Sequence, residues 1–217
     1  MSEAESRPND PIAAEQPAAV VRKRPKPGER RVQILQALAT MLEQPGAERI
    51  TTAALAARLE VSEAALYRHF ASKAQMFEGL IDFIEQSVFT LVNQIMEREA
   101  SGEVRAARIV GMLLQFAEKN PGMTRVMVGD ALVFENERLQ QRMNQFFDKI
   151  ESTLRQGLRG AGNDAGEAEA SATPSVDAQV RASLLTAFVV GRLQRFARSG
   201  FKRAPSEFLD ASLARML

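Results

Sequence analysis

The stretch ITTAALAARLEVSEAALYRHFASKAQMF, Ile50 to Phe77, contains the chain's only tyrosine and only histidine, Tyr67 and His69. The chemistry these residue types offer is hydrogen bonding to a polyanion and to base edges, not the making and breaking of bonds. Thr51 and Thr52 supply hydroxyls and backbone donors at a helix start, Tyr67 and His69 can donate to phosphate, and Lys73 adds a compact cation. Glu63, Ala64, Tyr67 and Arg68 are placed to face a groove.

These groups are useful only if short helices hold them. Thr51 or Thr52 can cap a first helix through Ala53–Leu59, in which Leu55 and Leu59 share a face. Glu60, Val61 and Ser62 interrupt it, and Ser62 is placed to cap a second helix beginning Glu63-Ala64-Ala65-Leu66-Tyr67. Ala53, Ala56 and Ala57 permit close approach, and Leu55, Leu59, Leu66 and Phe70 form a small apolar centre. The spacing predicts a helix-turn-helix whose second helix enters the major groove. Any amphipathic helical pair can share that spacing, so residue identity has to decide.

The succession Thr-Thr, Leu-Ala, Val-Ser, Leu-Tyr-Arg-His-Phe and Ser-Lys resembles the N-terminal domain of TetR-type regulators. The resemblance implies an all-α homodimer, with a three-helix DNA-binding head and a helical dimerisation body. Glu60 stands where that family usually has Gly, which implies a non-Gly residue at positive φ at a cost of roughly 1 kcal/mol.

Further stretches are similar to the nucleoid occlusion factors within the family: FIEQS at 83–87, EKNPGMTRVMVGDALVFENERLQQRMNQFFDKIE at 118–151 and SGFK at 199–202. That likeness implies dimers on palindromic double-stranded DNA, possible dimers of dimers there, and antagonism of the tubulin-like division protein FtsZ over the nucleoid. It also implies a groove for the FtsZ C-terminal tail, with Phe83, Lys119 and Asn120 at matching positions and Leu91, Met112 and Gln115 beside them. Leu91 replaces an Arg and Gln115 a Gly, which leaves Lys119 or Arg125 to supply the cation. The expected location is the cytoplasm, associated with the nucleoid.

At 217 residues the chain can bury a core without staples, and the absence of cysteine excludes disulfides, thiolate metal sites and Cys nucleophiles. A reducing compartment fits. The acidic, polar start MSEAESRPND does not read as a signal peptide, and apolar runs such as Ile109–Leu114 are far shorter than the roughly 20 residues a bilayer requires. Net charge is only +1, but Arg22–Arg31 carries six positive residues against one Glu, a basic arm suited to phosphate.

With one His, no Gly-rich phosphate loop and no His pair at metal spacing, neither an enzyme, a metal site nor a cofactor is expected. The predicted organisation is a disordered tail over 1–27, a head over 28–75 and a dimerisation and partner-binding body over 76–217. Within the head, a helix from about Gly28 carries Ile34, Leu35, Leu38 and Leu42, and Pro45-Gly46 ends it.

From Ser72 a long helix is expected to bury Met76, Leu80, Phe83, Ile84, Val88, Leu91, Val92 and Ile95. A helix from about Glu103 to Lys119 is expected to stop in a turn at Asn120-Pro121-Gly122. Helices over Thr124–Phe134, Glu135–Leu158 and Val176–Arg198 follow, the last burying Val180, Leu184, Leu185, Phe188, Val189 and Leu193. Gly160–Pro174 reads as a mobile loop, and Pro205 as the start of a final helix. Glu135–Leu158 and Val176–Arg198 are the expected dimer helices. The alternative reading of the body is a repressor in which Met112, Phe116, Met123, Met127 and Phe134 line a cavity for a small inducer.

Overall fold

A computed structural model describes residues 28–44, 49–161 and 174–217, and within them every regular element is helical. The expected tail over 1–27, most of the basic arm, the Pro45-Gly46 stop and nearly all of the expected mobile loop lie outside the described residues. Helices α1 (Glu29–Leu42), α2 (Thr52–Arg58) and α3 (Glu63–Tyr67) form the head. The body comprises α4 (Lys73–Arg98), α5 (Gly102–Lys119), α6 (Pro121–Met127), α7 (Glu137–Ala161), α8 (Pro174–Arg198) and α9 (Leu209–Leu213). A 3-10 turn, Asp130–Leu132, separates α6 from α7.

Helix starts follow local chemistry. Ser62, Ser72 and Ser101 each cap a helix with a side-chain oxygen that accepts a backbone N–H three residues on. Pro121 corrects the expected turn: it occupies the first turn of α6, where its missing N–H costs nothing, so the chain re-enters a helix at once. The expected Thr124–Phe134 helix accordingly ends at Met127, and Gly129 at φ 84° starts the 3-10 turn. The final helix is only Leu209–Leu213, and the preceding Phe208 is left-handed at φ 56°.

One apolar core runs through head and body. In the head Ile34, Leu38, Leu55, Leu66 and Phe70 are buried. In the body α7 contributes Leu139, Met143, Phe146, Ile150 and Leu154 against Leu185, Val189 and Leu193 of α8, with Ile109, Val110, Leu113 and Leu114 of α5. Two expected stripes are corrected. Phe83 and Leu91 are 49% and 40% exposed, whereas the adjacent Ile84 and Val92 are buried. On α8, Val180 and Leu184 are likewise exposed and continue a stripe from Val176 at intervals of four residues. Each pair of neighbouring apolar residues spans about 100° of helix surface, and only one member reaches the core.

Head and body meet directly where α6 packs on α1, and ion pairs brace the body behind that contact. A β-carbon on Gly122 of α6 would lie 1.9 Å from the carbonyl oxygen of Ala39 in α1, so this contact requires glycine. Along α4, a ladder of ion pairs joins Lys73 to Glu135, Glu78 to Arg138, and both Asp82 and Glu85 to Arg142, the last two at 2.9 and 2.7 Å. Partial burial lowers the Arg142 pKa, but hydrogen bonds and charge from Asp82 and Glu85 outweigh it and leave it above the usual arginine value.

Candidate nucleic-acid interface and partner groove

The α2–α3 pair is built from reciprocal local bonds. Thr51 is the N-cap of α2, its hydroxyl accepting from the Ala54 N–H at 3.1 Å, and Ser62 caps α3 by accepting from the Ala65 N–H at 3.3 Å. The turn between them closes with Glu60 at φ 54°, the left-handed conformation expected from the sequence, and with the Val61 N–H donating to the Ala56 carbonyl at 3.0 Å. Leu66 and Phe70 point inward, each 1% exposed. The opposite face therefore carries Glu63, Ala64, Tyr67 and Arg68, all exposed, with the Tyr67 ring 45% accessible.

The remaining sequence-predicted head residues have defined partners. Thr52 donates its hydroxyl proton to Glu63 Oε2 at 2.6 Å, which ties the first turn of α2 to that of α3. His69 is exposed, and its carbonyl accepts from Arg31 Nη1 at 3.1 Å. Lys73 lies 5.7 Å from the Phe77 ring centroid and pairs with Glu135, so it is held at the junction of head and body. Arg31, read from sequence only as part of a basic arm, stacks its guanidinium 4.1 Å over Phe70 and fastens α1 to the end of α3. A cation preceding an amphipathic helix was the available signal, but its partner is 38 residues away.

The second candidate surface lies between α4 and α5, packed neighbours joined by a three-residue turn and therefore antiparallel. A cleft of about 120 Å³ at its lower end is lined by Leu91, Ile95 and Arg98 of α4 and by Arg108 and Met112 of α5, among others. Two turns back along α4 stands Phe83, and two turns forward along α5 stands Lys119, so antiparallel register places them at the upper end. Gln115 lies exposed between these ends, and Lys119 is exposed at the upper one. Asn120 joins α5 to α6 and donates from Nδ2 to the Phe116 carbonyl at 2.7 Å.

Arg98 and Arg108, which sequence reasoning missed, bring cations beside Leu91, and Arg108 also pairs with Glu99 at 2.6 Å. The break at Ser101-Gly102 was the signal that could have paired them. Arg125 does not line this cleft: its guanidinium sits 5.3 Å from the Phe201 ring centroid, beside a separate hollow with Asp130, Val133 and Phe134. Met127 is buried, whereas Phe134 is 63% exposed beneath Arg49, so the residues expected to line an inducer cavity diverge.

Two family models match this chain. The family described as "Bacterial regulatory proteins, tetR family" matches residues 34–80, and that described as "Tetracyclin repressor-like, C-terminal domain" (SlmA-like) matches residues 101–216. The chain is 50% identical over 182 residues to the nucleoid occlusion factor SlmA of Idiomarina loihiensis, covering 84% of this chain and 90% of that one. It is 52% identical over 184 residues to the SlmA of Aliivibrio fischeri, covering 84% and 91%.

In fold it is similar to the transcriptional regulator FadR of Bacillus subtilis in complex with stearoyl-CoA, with a TM-score of 0.66 at 13% identity over 85% of this chain and 96% of that one. Half of its residues shared along nearly the full length of those relatives, on a helical head and body of the same architecture, make this chain a member of the SlmA family of TetR-type DNA-binding regulators.

Proposed function

We propose that two copies of this chain bind palindromic chromosomal DNA through α3 and, from the same DNA-bound state, take the C-terminal tail of FtsZ in the α4–α5 groove. Division would thereby be restrained over the nucleoid, in the cytoplasm. In this reading Glu63, Ala64, Tyr67 and Arg68 face the major groove, while Thr51, Thr52, Ser62, His69 and Lys73 border the phosphates or fix the helices that do. The stripe Val176, Val180 and Leu184 on α8 suits an isologous seam between copies.

The observation that carries the partner assignment is the exposure of Phe83 and Leu91 on a helix that buries Leu80, Ile84, Val88 and Val92. Apolar side chains, with Met112 beside Leu91, bordered by Arg98, Arg108 and Lys119, suit a peptide that is both acidic and apolar. Leu91 therefore need not be the cation itself, because Arg98 and Arg108 stand beside it. Dimers side by side on DNA would raise the local concentration of tail sites and strengthen weak single contacts.

The test is titration of labelled FtsZ tail peptide onto the DNA-bound protein, with Phe83→Ala and Lys119→Glu combined. Loss of peptide binding with DNA binding retained is the expected result. Equal tail affinity in the double variant would refute the groove assignment.

A further inference from the structure

The Thr52–Glu63 bond has a consequence for which bases this protein reads. Glu63 is the first residue of α3, exposed on the face it shares with Tyr67, and one carboxylate oxygen is occupied by the Thr52 hydroxyl at 2.6 Å. Thr52 has a single hydroxyl proton, so while it serves Glu63 it cannot be donated to a phosphate. The second carboxylate oxygen has no side-chain hydrogen bond or ion pair among the described residues. A carboxylate accepts hydrogen bonds and never donates them, and among major-groove edges cytosine offers an N4 amino donor without an adjacent acceptor on the same base. Adenine presents N7 beside its N6 amino group, and N7 repels a second carboxylate oxygen.

We propose that Glu63 selects a C·G pair in each half-site by accepting from cytosine N4, and that Thr52 is the positioning residue that aims it. This rests on the DNA-binding reading above. The negative charge also has a second effect: near the phosphate array it penalises every site that lacks the compensating amino group, so it raises selectivity at the expense of general affinity.

The experiment is in vitro selection from a random duplex library with full-length protein, followed by binding to the recovered palindrome and to single-position variants of it at fixed salt. Wild type is expected to favour C·G over other pairs by roughly tenfold at one symmetric position. Glu63→Ala should erase that preference alone and bind non-target duplex severalfold more tightly. Thr52→Val should lower the same preference, and Thr52→Ser, which keeps the hydroxyl, should restore it. Thermal melting of each variant verifies folding.

Base preferences unchanged in Glu63→Ala would overturn the proposal and leave DNA binding intact. So would uniform weakening by Thr52→Val across all sequences, the signature of a lost phosphate contact. A wild-type protein that recovers no palindrome would overturn the proposal together with the DNA reading on which it rests.

Discussion

The head and the α4–α5 groove present their exposed residues by opposite means. The exposed face of α3 is polar and pinned by hydrogen bonds: Ser62 caps it, Thr52 holds Glu63, and Arg31 anchors the carbonyl of His69. The groove is a partly exposed apolar strip, with Phe83 and Leu91 on the outer edge of the stripe that α4 otherwise buries. A surface that must discriminate between bases needs fixed donors and acceptors, because a displaced hydrogen-bonding group loses most of its selectivity. A surface that accepts an extended peptide gains chiefly by shedding water from apolar area, which tolerates looser placement. Substitutions in the head should therefore act through order and geometry, and substitutions in the groove through partner affinity alone.

The largest expected effect tests the first half of that contrast. Leu66→Ala removes a side chain that is 1% exposed beneath the reading face and should cost about 2–5 kcal/mol in urea denaturation, with DNA binding lost alongside. Next, Tyr67→Ala with Arg68→Ala should reduce DNA affinity by roughly tenfold or more in fluorescence anisotropy at fixed salt, without lowering the melting temperature or tail-peptide binding. A parallel loss of peptide binding would show that the two surfaces are not independent.

In the groove, Phe83→Ala should leave stability within about 0.5 kcal/mol of wild type because the ring is already half exposed. A much larger destabilisation would make Phe83 a structural residue and weaken the contrast. Ser62→Ala should cost about 1 kcal/mol through loss of the α3 cap, read by thermal melting. One change should be a gain: Glu60→Gly relieves the φ of 54° and should stabilise the head by up to about 1 kcal/mol. Destabilisation instead would mean that the Glu60 side chain contributes more than its backbone costs.

Much of the head was legible because its signals are local. Thr51, Ser62 and Ser72 announce helix starts within three residues of the bonds they make, and the turn strain at Glu60 follows from the residue that occupies it. The groove was harder. Phe83 beside Ile84, and Leu91 beside Val92, fit one broad apolar stripe, and periodicity does not say which edge of that stripe another helix covers. The same ambiguity made Val180 and Leu184 look like core. Pro121-Gly122 read as a stop because proline suits both a turn and a helix start, and only the packing of α6 against α1 decides between them. The ion-pair ladder was out of reach: Lys73 and Glu135 are 62 residues apart, and each alone is an ordinary surface charge.

The contact between Gly122 and Ala39 fixes how closely the head can sit against the body. With the start of α6 laid directly on a carbonyl of α1, any side chain in place of Gly122 would push the head away from the body at that point. If two copies pair as proposed, the spacing of their heads is inherited from the seam between them, and a differently spaced operator would call for a recut seam with α3 unchanged.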